Sequence, residues 1–310
     1  MSAPAEATTA EAAEANAGLG AGPVASGRER LGGYLLAAPS AALLFGIALV
    51  PILATAWFSV QRFIVVFHEK RFTGLANYRF LLQDARFWTA LGNTGYFAIV
   101  SVALETVLGL TVALLLDARA PGRALLRTAV LVPWAIPAAV SAKMWAWLFN
   151  PEYGLITHAF AGGSVNWLGT PGYAMHAAIL VDVWKTTPFV ALLLFAALRS
   201  IPDDLYRAAQ IDGASAARTF CRITLPLLRP AILVALVLRT LDAFRVFDSI
   251  YVLTGGGPAN TTETLAIYTY KTLMSSGDFG YGSTLAVATF LCVLAVSGVY
   301  LKLLGAEARS

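Results

Sequence analysis

Residues 91–116 read LGNTGYFAIVSVALETVLGLTVALLL, and the only charged residue among them is Glu105. A helix needs roughly 20 apolar residues to cross a hydrocarbon core of about 30 Å, so this stretch is long enough to span a membrane. Working outward, five more stretches meet the same requirement: 34–60, 125–149, 175–198, 227–253 and 283–304. The predicted fold is all-α and integral to the membrane, with six transmembrane helices. Composition agrees: of 310 residues, 58% are hydrophobic and 13% charged, about half the charged share of a soluble domain, and the mean hydropathy is +0.68. A soluble enzyme, a nucleic-acid binder and a disordered regulator are thereby excluded. Cys221, Cys292 and the single histidines His68, His158 and His176 have no metal-ligand spacing.

Residues 1–30, rich in Ala, Gly and Glu, read as a disordered cytoplasmic tail, and residues 31–310 as one six-helix membrane domain. The run after Arg28 and Arg30 is too long for a signal peptide and reads as an uncleaved first span. With the N-terminus inside, twelve of the 22 Lys and Arg residues fall on the inner side and six outside. That bias puts both termini in the cytoplasm. Five of the six exceptions crowd the first outer loop, at Arg62, Lys70, Arg71, Arg79 and Arg86.

Eight ionisable residues lie within spans: Glu105, Lys143, Asp182, Lys185, Arg239, Asp242, Arg245 and Asp248. Each costs roughly 2.5–3.5 kcal/mol at the centre of a lipid-facing helix, so each must face protein, a wet cavity or another charge. Counted along the spans, they form a layer from the midplane outward, the depth of a solute site. On the fifth span Arg239, Asp242, Arg245 and Asp248 recur every third residue with alternating sign, which predicts an internally paired ladder. Part of that ladder is expected to line a solute cavity.

Residues 200–226 form the most structured loop, SIPDDLYRAAQIDGASAARTFCRITLP. Ser200 is expected to cap a short helix, with Pro202 in its first turn and Asp203 and Asp204 at its positive end. Gly213 stops it. Ser215 caps a second helix that ends before Pro226. Ala208, Ala209, Gly213 and Ala214 leave room for close approach, and Leu205, Tyr206 and Ile211 supply apolar anchors, so the segment reads as one that docks on a partner.

This segment resembles the coupling motif of permease subunits in binding-protein-dependent ABC importers: two alanines, then Gly, then I-x-L-P at fixed spacings, here Ala208, Ala209, Gly213, Ile223, Leu225 and Pro226. Arg207 stands where that family usually has Glu, which reverses the sign of one contact to the ATPase. Gly74-Leu75-Ala76-Asn77-Tyr78, Val132-Pro133-Trp134 and the run from Phe247 to Pro258 look like the sugar-permease branch. The runs 183–189 and 239–245 look like trehalose-importer permeases of actinobacteria.

The resemblance implies a type I importer permease carrying a disaccharide, trehalose or maltose. Sugar contacts would fall on Lys185, Thr186, Phe189, Arg239, Asp242, Ala243 and Val246, and ATPase coupling on Leu205, Tyr206, Arg207, Ala208, Ala209, Asp212, Gly213, Ile223, Leu225 and Pro226. It implies as partners a second homologous permease, a dimer of ATPase subunits holding ATP and Mg, an extracytoplasmic sugar-binding protein and the lipid of a bacterial cell membrane, with no nucleic acid. This chain itself has no G-x-x-x-x-G-K-[ST] and no catalytic set, so it is expected to bind no cofactor and to catalyse no reaction. The alternatives are another carbohydrate or glycerol phosphate as solute, and an ion-coupled secondary transporter using the buried carboxylates.

Overall fold

The computed structural model describes residues 27–118, 123–161 and 165–307. The expected tail lies almost wholly outside them, and a helix already begins at Gly27. Residues up to Ala54 form one unit and those from Thr55 a second. In the first, the helix carries an all-round apolar surface on which Leu43, Leu44 and Phe45 are exposed, as a lipid-facing span requires.

Among the described residues, five helices are long and apolar enough to cross a membrane: Ala38–Ser59, Ala85–Asp117, Pro171–Arg199, Ala216–Ala243 and Phe279–Tyr300. The expected third span is not one straight helix. It is broken into Leu125–Ala135 and Ala138–Leu148, bent by 96°. Two prolines four residues apart explain the break. Pro137 has no N–H to donate and pushes Ile136 out of the helical region, and Pro133 weakens the turn before it.

The expected fifth span also needs correcting. Its helix ends at Ala243, and a separate helix, Asp248–Thr254, follows after a turn at 244–247.

The centre of the second unit is the pairing of the second and fourth spans. On the second span, Ala90, Thr94, Ala98, Ser101, Glu105, Gly109 and Ala113 are buried along one stripe of three- and four-residue steps. Across it lie Ala174, Ala178, Val181, Asp182, Ala191 and Leu194. Small side chains let the two backbones close up in a medium where burial from lipid gives little driving force. Gly109 marks the closest approach, because a Cβ there would stand 2.6 Å from Val190 Cγ1 and 3.2 Å from the Ala191 nitrogen.

One element departs from the all-α expectation. Strands β1 (Gln61–Ile64) and β2 (Glu69–Phe72) pair antiparallel, Gln61 against Phe72 and Ile64 against Glu69. The Asn77 side chain donates to the Ser59 and Gln61 carbonyls at 2.9 and 2.8 Å, and the hydroxyls of Tyr78 and Ser59 lie 2.7 Å apart. The Asn77-Tyr78 pair noted in the sequence thus pins the base of this hairpin.

Candidate functional site: a charged cavity within the spans

A cavity of about 430 Å³ lies between the fourth span, the fifth span and the break in the third. Lys185, Thr186, Phe189, Arg239, Asp242, Ala243 and Val246 all line it, so the expected sugar contacts converge on one space. Trp134, Asp182, Arg245, Phe247 and Asp248 line it as well. The volume falls within the roughly 300–1,000 Å³ of small-molecule sites.

Arg239 is the hub of the site. Its guanidinium donates to Glu105 through Nε at 2.6 Å and Nη2 at 3.0 Å, and through Nη2 to Asp182 at 3.2 Å. Its Nη1 donates to Asp242. The Arg239 side chain is 5% exposed and that of Glu105 is wholly buried, whereas Asp242 keeps 62% of its side chain open to the cavity. Thr186 steadies the cluster, its hydroxyl lying 2.7 Å from Glu105 Oε1 and 2.6 Å from the Asp182 carbonyl. One guanidinium therefore holds three carboxylates from three helices. The bidentate grip on Glu105 is the strong geometry for such a pair.

The alternating ladder expected on the fifth span holds in its first part: Arg239 pairs with Asp242, and Arg245 lies 3.9 Å from Asp242. It stops there, because the turn at 244–247 breaks the three-residue register before Asp248, and Arg239 reaches Glu105 and Asp182 on other helices as well.

Lys185 lines the cavity and also finds partners in the protein. Its ammonium donates to the Ile136 carbonyl at 2.9 Å and reaches the Trp134 carbonyl at 3.5 Å. These belong to the backbone released by the helix break, and a cation suits the negative end of a helix. Irregular backbone at membrane depth is tolerated where it lines a cavity and finds partners. The same break places the Trp134 ring against Phe189, with centroids 6.3 Å apart and planes 28° apart, so two stacked rings form one wall. Two prolines in an apolar run were the signal for this feature.

The 200–226 segment stands at the other end of the fifth span. Its first helix is Asp203–Ile211, closed as expected at Gly213, whose φ is +69°. Ala214 N–H reaches the Ala209 carbonyl at 2.9 Å and Gly213 N–H the Gln210 carbonyl at 3.1 Å, the double bond of a Schellman stop. Ser215 caps the second helix through Arg218 N–H. Ser200 does not cap the first: its hydroxyl donates back to the Ala197 carbonyl at 2.7 Å, and Pro202 holds the cap position without a side-chain bond.

The second helix does not end before Pro226 either. It passes through a π turn, Phe220–Thr224, and continues as the span Leu225–Ala243. The wider turn, with Leu225 N–H bonded to the Phe220 carbonyl, relieves the clash a proline ring makes with the carbonyl four residues back.

Ala209 is buried and Tyr206 half-buried against Leu194, Leu198 and Leu228, its hydroxyl 3.2 Å from that of Thr224. Leu205, Ala208, Asp212, Gly213, Leu225 and Pro226 are exposed, and Ile223 is half-buried. Ile211 is 86% exposed. Arg207 pairs with Asp204 one turn away, so the residue that departs from the usual Glu is answered within its own helix.

A second ionic network ties the far end of the bundle. Glu263, buried, accepts from Arg86 Nε and Nη2 at 2.7 and 2.8 Å and from Lys271 at 2.8 Å. Asp84 accepts from the Tyr268 and Tyr281 hydroxyls at 2.7 and 2.5 Å. Burial alone would raise both carboxyls. The donors outweigh it and hold each below its ordinary range. Glu263 and Asp84 escaped the sequence reading, which counted only the cations at this end. The weak charge bias was the clue, since Arg62 with Glu69, and Arg86 and Lys271 with Glu263, are all neutralised locally.

Comparison with known proteins gives the fold and site their context. The chain is 47% identical over 278 residues to the trehalose/maltose transport system permease protein MalF of Thermococcus litoralis, covering 89% of this chain and 94% of that one. It is 41% identical over 281 residues to the trehalose transport system permease protein SugA of Mycobacterium tuberculosis, covering 90% and 91%. A crystal structure of a bacterial ABC transporter involved in import of the acidic polysaccharide alginate superposes with a TM-score of 0.74 at 23% identity, over 87% of this chain and 94% of that one, and so shares the fold. These matches set aside the ion-coupled alternative. With residues 105–305 matching its family signature, the chain belongs to the binding-protein-dependent transport system inner membrane components, the multi-pass permease subunits of ABC importers.

Proposed function

We propose that this permease carries a neutral disaccharide, trehalose or maltose, through the cavity around Arg239. The observation that carries the reading is the use made of the charges lining that cavity. Lys185 is engaged by backbone carbonyls and Arg239 by carboxylates, so neither cation is left over for an anionic solute. The groups left open are the Asp242 carboxylate and the Arg245 guanidinium, an acceptor and a donor suited to hydroxyls, opposite the Trp134 and Phe189 rings, which suit the C–H face of a sugar. Glycerol phosphate would meet the Arg245 guanidinium only beside the Asp242 carboxylate, 3.9 Å away. The names of the MalF and SugA relatives favour the same solutes.

In this proposal both termini face the cytoplasm of a bacterial cell, and residues 203–223 receive an ATPase dimer that binds ATP and Mg and performs all the hydrolysis. A second homologous permease completes the path and an extracytoplasmic binding protein supplies sugar. ATPase closure pushes on the rigid elbow formed by the Gly213 stop and the Tyr206–Thr224 contact. The push passes along the continuous helix from Ala216 to Arg239, and the cavity changes the side from which it is open.

The test is uptake of radiolabelled trehalose by vesicles containing the assembled importer. Uptake is expected to require ATP and binding protein, to be competed by maltose and to be indifferent to glycerol phosphate. Accumulation by this chain alone without nucleotide overturns the reading. Gly213→Asp is expected to abolish uptake while membrane insertion is retained, because a side chain at φ +69° strains the stop between the two helices.

A further inference from the structure

Three aromatic rings meet at the end of the bundle opposite the 200–226 segment. Phe247 and Tyr251 stack with centroids 5.0 Å apart and planes 15° apart, and Tyr270 lies 5.0 Å from Phe247 and 5.1 Å from Tyr251. Phe247 lines the charged cavity around Arg239. Tyr251 lines a second cavity of about 520 Å³, shared with Lys143, Lys271 and Ser275. The stacked pair is therefore the partition between the two spaces. Phe247 packs partly against the hydrophobic core, whereas Tyr251 is 40% exposed.

Lys143 adds an independent observation. It sits on the apolar helix Ala138–Leu148, its side chain is exposed, and among the described residues it has neither a hydrogen-bond nor an ion-pair partner. Lys271, by contrast, is held by Glu263. An unpaired ammonium in a membrane helix is costly unless water or a ligand meets it, and here it borders a cavity that Tyr251 also lines.

We propose that this second cavity is a carbohydrate subsite that a neutral saccharide occupies before it reaches the cavity around Arg239. One sugar ring packs against the exposed part of Tyr251, and its hydroxyls take hydrogen bonds from Lys143 and Ser275. Tyr251 and Phe247 touch each other and each lines one cavity, so a sugar leaving Tyr251 meets Phe247 next. This rests on the reading of the Arg239 cavity as the sugar path.

The test uses the assembled importer in lipid vesicles with a diazirine-bearing trehalose, irradiation and mapping of labelled peptides. Labels are expected both at residues 185–189 and at residues 251 and 270–275, each suppressed by excess unlabelled trehalose. Labels at 185–189 alone, including the case in which the second permease covers Tyr251 and Tyr270, overturn the subsite and leave the sugar path standing. Labels at neither overturn both. In uptake, Tyr251→Ala is expected to raise the half-saturating trehalose concentration about threefold to tenfold at an unchanged maximal rate, with Tyr251→Phe near wild type. An unchanged half-saturation overturns the subsite. Should Tyr251→Ala fail to assemble, labelling of the wild-type importer decides the question.

Discussion

The molecule holds two ionic networks of similar ingredients and opposite character. At the far end, Arg86 and Lys271 meet Glu263 while Asp84 takes two tyrosine hydroxyls, and the cation and carboxylate charges balance. Around Arg239, one guanidinium meets Glu105, Asp182 and Asp242, and carboxylates outnumber the cation. The balanced network joins the start of the second span to the 263–271 segment and the start of the sixth span, and it is closed. The unbalanced one leaves Asp242 open to a cavity. A network that closes on itself holds helices together, whereas one with a paired carboxylate still open to a cavity can also meet a ligand.

The largest test of this contrast removes each hub. Arg239→Ala leaves Glu105 and Asp182 as buried charges without a counter-ion and is expected to cost about 3–5 kcal/mol of stability, read as a fall in the melting temperature of the purified permease. Arg86→Ala is expected to cost clearly less, because Lys271 still neutralises Glu263. Equal losses would erase the distinction.

A second pair of substitutions separates holding from binding. Asp242→Asn is expected to raise the half-saturating trehalose concentration roughly tenfold, the scale of one hydrogen bond to a charged group, with little change in melting temperature. Glu263→Gln is expected to do the reverse, lowering the melting temperature while half-saturation stays put. The opposite pattern would exchange the roles of the two networks.

The smallest effect is one of pH. Asp84 and Glu263 titrate lower in the folded protein than in the unfolded chain. Their stabilisation is therefore fully present above the unfolded value of about 4 and is lost as pH falls through the lower folded values. Melting temperature is expected to be flat with respect to this network from neutral pH down to about 5 and to drop below about 4. Glu263→Gln should flatten part of that drop, and an unaltered acid limb would sink the assignment.

The individual residues show why some features were legible and others were not. The spans, the Gly213 stop and the Ser215 cap follow from local chemistry: apolar run length, tolerance of positive φ, and a hydroxyl beside free N–H groups. The residues that the resemblance assigned to sugar contact line one cavity because they sit on neighbouring turns of two spans that pack together. The ladder on the fifth span holds from Arg239 to Arg245 and not to Asp248, because its spacing assumed a continuous helix and the turn at 244–247 removed that register. The protein partners of Lys185 were not legible, because they are backbone carbonyls exposed by a break in another helix. Ser200 failed as a cap because it found a carbonyl behind it before an N–H ahead of it.

By itself the sequence determined that this chain is a membrane protein, which stretches are apolar enough to cross, that a helix stops at Gly213, and that charge lies within the spans. All of these depend on neighbours within a few turns of the chain. Only the tertiary structure decided which charges meet. Glu105 and Arg239 are separated by 134 positions, and Arg86 and Glu263 by 177. In a low-dielectric interior an ion pair forms with whatever opposite charge packing brings near, and packing between distant helices leaves no periodicity in the sequence.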